Sequence, residues 1–314
     1  VRASRRTVLL GGLGFAVAAC GPGTYPGPDR GLVVAAGEPG GFYVEFGQLL
    51  AAQIGAVEPD LRCEVVATAG SADNLGRVRD GSADLALVLA DVASSAHAGE
   101  APFTEPSPLR AIGRVYENYM QLVVLADSPV WTVTDLSGGR ISLGADGSGA
   151  AIFGERLLAA TGLVAGVDHR PLAEAITALE GGTIDALLWS GGVPTPALAA
   201  LAARRPIRLV ETVAQLPAMQ AAHGSAYERV AVPEGGYGAA RAVPTIGVPN
   251  LLVSAPWLPD EVADAIARVL VSRAPSLVPP QALGTQYLDQ RSLVTTGRVP
   301  LHPGAATAYR DLRG

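Results

Sequence analysis

Two cysteines in 314 residues leave no room for a disulfide framework, and charged side chains are scarce at 17%. The four histidines, His97, His169, His223 and His302, are scattered and make no H-E-x-x-H or comparable metal spacing. Ser148 sits in "DGSGA", which is not the G-x-S-x-G turn of a hydrolase, and the cysteines offer no thiol pair. No catalytic residue, metal or cofactor is therefore expected, and the chain does not read as an enzyme. Positive charge is short as well. The formal charge is −6, and removing Arg2, Arg5 and Arg6 with an export signal brings it to −6 − 3 = −9, which excludes a nucleic-acid surface. Beyond the N-terminus no apolar run is long enough to cross a membrane.

Apolar residues, by contrast, make up 49% of the chain, enough for a substantial core and for two domains of ordinary size. The first residues read as an export signal, with "VRASRRTVLL" as the positive region and Val8 to Ala18 as the apolar segment. The segment ends in "VAAC", Val17 to Cys20, small residues before a cysteine in the manner of a bacterial lipobox. Cys20 is then the acylated first residue of an exported, extracytoplasmic chain anchored to the cell membrane by lipid. "SRRTVLL" resembles a twin-arginine signal but lacks the usual polar or basic residue after the leucine, so the export route stays open. With Cys20 lipidated, Cys63 has no partner and its alternation in "LRCEVV" reads as a buried strand position. The Gly- and Pro-rich "GPGTYPGPDRG" that follows Cys20 is expected to be a tether, residues 20–30.

From residue 31 onward short apolar runs alternate with helical patterns. Leu32–Gly37 reads as a strand, and Tyr43 to Ile54 puts Phe46, Leu49, Leu50 and Ile54 on one helical face. "CEVVATA", a helix opening at Ser71, and the unbroken apolar Ala83–Ala90 complete a parallel α/β unit. A second unit follows over about 127–242: a strand at Arg140–Leu143, a helix from Ala150 to about Thr161, a helix ending at Gly181–Gly182, and strands at Ile184–Trp189 and in "PIRLVET". Two extended runs, Tyr119–Asp127 and Val243–Pro256, flank this unit and return the chain to the first. "LPDEVADAIARVLVS" is an amphipathic helix with Asp260 as its cap. The expected architecture is α/β, with two lobes on a two-strand hinge and a ligand cleft between them: 31–123 plus 247–314 form lobe 1, and 124–246 form lobe 2.

"GEPGGFYVEFG", from Gly37, has the outline of a phosphate loop but not its chemistry. Gly41 is followed by Phe42 and Tyr43 with no lysine nearby, and Glu38 and Pro39 stand where a dinucleotide loop needs its second glycine. What remains is an anion-friendly helix start, and the sequence prepares three: Gly40–Gly41–Phe42–Tyr43, Gly70–Ser71 with Asn74, and Gly147–Ser148–Gly149. Each follows a predicted strand and so belongs at the carboxyl edge of a sheet, where open α/β folds bind ligands.

In order along the chain, "GGFYVEFG", "TAGSADNLGRVRDGSADLALVLADVA", "DLSGGRISLGADGSGA", "GGTIDALLWSGGVPTPAL", "VPEGGYGAARAVPTIGVPNLLVS" and "PLHPGAATAYRDL" resemble the TAXI proteins, solute receptors of tripartite ATP-independent periplasmic (TRAP) transporters. The resemblance runs from Leu32 to the end; "GSADNL" and "PLHPGA" are its specific motifs. It implies a two-lobed class II periplasmic-binding-protein fold that captures a small carboxylate-bearing solute, an amino acid such as glutamate or glutamine or a dicarboxylate, for a TRAP-type membrane permease. It assigns ligand contacts to Gly40, Gly41 and Tyr43, to Ser71 and Asn74, to Asp91, to Gly147, Ser148 and Gly149, and to Gly192 and Pro194. Lobe closure would then bring the backbone amides at Ser71 and Ser148 onto the carboxylate.

The chain departs from the family pattern where Ala36, Glu38 and Pro39 replace all but Gly37 of T-G-G-T, where Phe42 replaces Thr, and where Glu45 replaces Pro. Glu38 either faces the ligand, favouring an ammonium group, or is a solvated loop carboxylate. Trp189 either covers the ligand or ends a buried strand. An ABC-type substrate-binding lipoprotein and a stand-alone ligand sensor are the alternative readings.

Overall fold

A computed structural model describes residues 25–313. The expected signal peptide, Cys20 and the first part of the tether lie outside the described residues. At the other end of that tether Tyr25 is buried, and its N–H donates to the buried Glu58 carboxylate, so packing begins earlier than expected.

The first α/β unit runs β1 (Arg30–Ala35), α1 (Phe42–Val57), β2 (Leu61–Val66), α2 (Ser71–Asp80), β3 (Leu85–Leu89) and α3 (Ala90–Ala98). The long strand β4 (Arg110–Leu125) then leads to β5 (Arg140–Ser142), α4 (Gly149–Thr161), β6 (Gly166–Asp168), α5 (Leu172–Glu180) and β7 (Ala186–Gly191). Next come α6 (Pro196–Arg204), β8 (Ile207–Val210), α7 (Leu216–His223) and β9 (Glu228–Val232). A second long strand, β10 (Val243–Ser254), returns to α8 (Asp260–Ser272), α9 (Gln290–Leu293) and α10 (Pro303–Asp311). Among these helices none is long and apolar enough to cross a membrane.

Ten strands form one sheet in the order β2-β1-β3-β10-β4-β7-β5-β6, with β8 added to β4 and β9 to β10. β1, β2 and β3 are parallel, as are β5, β6 and β7, while β4 and β10 run antiparallel to their neighbours. The two long strands change partners midway. Asn250–Ser254 of β10 pairs with β3, whereas Val243–Gly247 pairs with β9. On β4, the residues up to Tyr119 pair with β10 and those from Tyr119 onward pair with β7 and β8. Their mutual register slips between Pro249 and Leu251, a local irregularity that bends the strand where the two halves of the sheet meet. The crossover therefore lies near Tyr119 and Gly247. β4 itself starts at Arg110, nine residues before the extended run seen in the sequence.

Helical periodicity on α1 is realised as expected, with Phe46, Leu50 and Ile54 fully buried and Leu49 half-buried. Phe42 and Phe46 flank Tyr116 of β4, with ring centroids 4.9 and 5.1 Å away, which ties α1 to the crossover strand. Two local expectations need correction. Asp260 is the first residue of α8 and does not cap it; Pro259 takes the cap position, and the carboxylate instead favours the positive end of the helix dipole. Cys63 is free but half-buried, because β2 is the edge strand of the sheet; burial still pushes its thiol up to about 12.

Candidate functional site: a cavity between the two halves

The carboxyl ends of β1, β3 and β7 and the loop after β5 converge on one cavity. Its wall from the first half is Gly37, Glu38, Gly41, Phe42, Tyr43, Ala69, Gly70, Ser71, Leu89 and Asn118. The second half contributes Ser148, Gly149, Ala150, Trp189 and Ser190. The free volume is about 30 Å³, room for about one water.

Of the residues expected to bind ligand, Glu38, Gly41, Phe42, Tyr43, Ser71, Ser148, Gly149 and Trp189 line this cavity. Gly40, Asn74, Asp91, Gly147, Gly192 and Pro194 do not. Asn74 is wholly buried: its amide nitrogen donates to the carbonyls of Ala36 and Leu87 at 2.6 and 2.7 Å, and its oxygen lies 2.6 Å from the Thr68 hydroxyl. It splices the ends of β1 and β3 together. Asp91 accepts from Arg156 at 2.9 Å and from the Tyr227 hydroxyl at 2.8 Å, both from the second half. Gly192 leaves room for the Phe42 ring, which an added Cβ would approach to 2.5 Å, and Pro194 follows a cis peptide.

The three helix starts have different occupants. At α2, the N–H groups of Ala72 and Asp73 donate to the Gly147 carbonyl of the opposite half at 2.9 and 3.4 Å. At α4, the Ser148 hydroxyl caps the Ala151 N–H at 3.0 Å, and Ser71 Oγ is taken by the Leu89 N–H at 3.1 Å. Of the two amides expected to hold a carboxylate, the Ser148 N–H donates to the Ala145 carbonyl at 3.0 Å. α1 and α2 both start at a cavity-lining glycine N-cap, Gly41 and Gly70, with no side-chain cap, but the first amides of α2 are taken by Gly147.

The same physics joins the halves at two further helix starts. The Leu172 N–H of α5 donates to Glu38 Oε2 at 2.5 Å, and the Ala197 N–H of α6 donates to the Gly40 carbonyl at 3.3 Å. Each of these contacts sets an acceptor from one half against a helix dipole from the other. Glu38 is buried at 8% exposure, so it is not a solvated loop carboxylate. Burial pushes its carboxyl up, the Leu172 N–H opposes that, and Glu174 nearby adds to it.

Trp189 lies inside β7, two residues before its end, is buried and lines the cavity. Its indole N–H donates to Thr195 Oγ1 at 3.0 Å, and the Thr195 N–H donates to the Tyr237 hydroxyl at 2.6 Å. Tyr237 in turn donates to Gln121 Oε1 on β4 at 2.6 Å, while holding a left-handed backbone with φ 54°. The Tyr43 hydroxyl donates to Asn250 at the register slip of β10, and burial pushes its ionisation well above the usual tyrosine range.

Sequence reading missed Asn118, Ser190 and Arg156. Asn118 Nδ2 donates to Ser190 Oγ at 3.1 Å across the crossover, and Arg156 links α4 to Asp91 and to Ser95 Oγ at 2.9 Å. None lies in a glycine-rich loop, so no helix-start signal marks them. Among the described residues no cluster of His, Cys, Asp or Glu is placed to hold a metal.

The family model described as "NMT1-like family" matches residues 34–312. Among solved structures, a protein from Bordetella bronchiseptica RB50 superposes with a TM-score of 0.57 at 17% identity, covering 90% of this chain and 98% of that one. The alkanesulfonate-binding protein SsuA from Xanthomonas axonopodis pv. citri, bound to MOPS, gives 0.50 at 19% identity over 90% and 84% of the two chains. Tv2483 bound to L-arginine gives 0.51 at 14% identity over 79% and 86%. The fold is that of the periplasmic solute-binding proteins.

Proposed function

Since the chain belongs to the NMT1-like family, we propose that it is an extracytoplasmic receptor that captures a small solute between two lobes and presents it to a membrane transporter. The observation that carries this reading is the cavity itself, walled by both halves at the carboxyl ends of parallel strands and spanned, among the described residues, by two continuous strands, β4 and β10. The halves act as lobes hinged near Tyr119 and Gly247, close to the boundaries 123/124 and 246/247 expected from sequence. Solute shifts the pair toward closure because only the closed state contacts it from both sides.

The solute in this proposal is a small carboxylate-bearing molecule, an amino acid or a dicarboxylate. Its carboxylate sits at the uncapped start of α1, beside Tyr43, Ser71 and Ser148. A permease of the TRAP type is the partner, on the strength of the ordered motifs from "GGFYVEFG" to "PLHPGA". The lipid anchor at Cys20 would hold the receptor at the membrane.

The test is a thermal-shift screen of the purified chain against amino acids and organic acids, followed by small-angle X-ray scattering with each hit. A bound solute should raise the melting temperature and shrink the radius of gyration. A chain that no small solute stabilises is not a solute receptor.

A further inference from the structure

We propose that Glu38 Oε1 and Asn118 Oδ1 form an ammonium subsite, so that the captured solute carries a protonated amine in addition to its carboxylate. This rests on the receptor reading above and names the chemistry of its solute.

The cavity has unmet acceptors and no cation. Glu38 is 8% exposed and Asn118 is 1% exposed, and both line the cavity. Glu38 uses Oε2 on the Leu172 N–H, which leaves the buried Oε1 with no donor. Asn118 uses its amide nitrogen on Ser190, and its oxygen is likewise buried without a donor. No arginine, lysine or histidine is among the lining residues. Acceptors buried without donors cost stability, and a charged one costs more. An ammonium group brings up to three donors and the missing positive charge. The second carboxylate of a dicarboxylate would instead meet Glu38 with like charge.

The same cavity also offers an anion site. The start of α1 is uncapped by any side chain, and its dipole favours an anion. Unmet acceptors and an uncapped helix start in one cavity describe a zwitterion. Glu38 also couples recognition to closure. An ammonium at Oε1 keeps the carboxylate ionised, and an ionised Oε2 is the stronger acceptor for α5 of the other half. One side chain thereby selects the solute and holds the cleft shut on it.

The experiment screens the purified chain against the common L-amino acids, succinate and glutarate, then measures each amino-acid hit beside its des-amino acid by titration calorimetry. The amino member should bind at least about tenfold more tightly than its des-amino partner. In Glu38→Gln, which keeps the shape and one acceptor, that ratio should fall to about threefold or less. Asn118→Ala, which leaves the Glu38–Leu172 bond in place, should also reduce the ratio, so the subsite stays testable if the Gln variant misfolds. Binding of succinate, glutarate or des-amino acids as tight as that of amino acids would overturn the subsite and leave the receptor standing. An unchanged ratio in a well-folded Glu38→Gln would do the same. A chain that binds nothing in the screen would overturn both.

Discussion

Arg156 Nη1 lies 2.9 Å from Asp91 Oδ2, and the two residues come from opposite halves of the molecule. Side-chain exposure is 10% for Arg156 and 1% for Asp91, so the carboxylate has almost no water as an alternative partner. Tyr227 donates to the same oxygen at 2.8 Å.

Removing one member of this pair should therefore cost far more than breaking a surface bridge. Arg156→Met leaves a buried carboxylate facing only a hydroxyl, and is expected to destabilise the chain by about 3–5 kcal/mol in urea unfolding. Asp91→Asn combined with Arg156→Met should cost less than the sum of the single changes, because the double variant strands no charge. Additive losses, or a single-variant loss below about 0.5 kcal/mol, would show that the contact carries no such coupling.

Glu117 gives the chain a pH dependence of definite sign. Burial pushes its carboxyl from 4.5 up to about 7, outweighing the Tyr287 hydroxyl and the Arg114 guanidinium, while Glu228 pushes it further up. Arg114 sits 3.6 Å from Glu117 and 3.0 Å from Glu228, over the ring of Tyr287. Between pH 4.5 and about 7 the folded chain holds a proton that the unfolded chain releases. The contribution of Glu117 therefore falls as pH rises through that window and is flat above it. The full difference is on the order of 3 kcal/mol. Glu117→Gln should gain on the parent between pH 5 and pH 8 in paired urea melts. A gap that does not change with pH would refute the shifted group.

Asn74 changes meaning between sequence and structure. As part of "GSADNL" it reads as a ligand contact, and a bulky replacement would then abolish binding with the fold intact. In the structure its side chain bonds to Ala36, Leu87 and Thr68 and does not reach the cavity. Asn74→Leu is expected to lower stability by about 2–3 kcal/mol by leaving two buried carbonyls without donors. Loss of solute affinity with an unchanged urea midpoint would restore the ligand role.

That case shows what sequence can and cannot carry. Most strands and helices from Leu32 to Trp189 were legible because burial imposes a period, but α3, β6 and the first half of β4 were not. Nor were the partners of the helix-start glycines. Nothing local tells that Gly147 offers its carbonyl to α2, or that Glu38 reaches α5 across 134 positions of sequence. The "PLHPGA" motif is structural in the same way: buried His302 accepts from the Gly304 N–H at 3.3 Å to start α10, which packs on α8. Asn118 was invisible because it lies inside a long strand, where an isolated polar residue looks like an exposed one.

Closure can be tested apart from folding, because two glycines of one helix face different surroundings. Gly149 opens α4 with an ordinary negative φ, so alanine suits the helix there. Its Cβ, however, would collide with Leu89 and come within 2.8 Å of Ser71 Oγ, both on the other half. Gly149→Ala should hold the lobes apart: solute affinity falls by about tenfold or more, since the competent closed state becomes rare. The solute-induced decrease in radius of gyration should vanish with it. Gly162, at the far end of the same helix, has φ +66° and nothing within 4 Å of an added Cβ. Gly162→Ala should cost about 1 kcal/mol through the left-handed cap and leave affinity and compaction unchanged. If both variants bind solute like the parent, the meeting of α2 and α4 is not what closes the cleft.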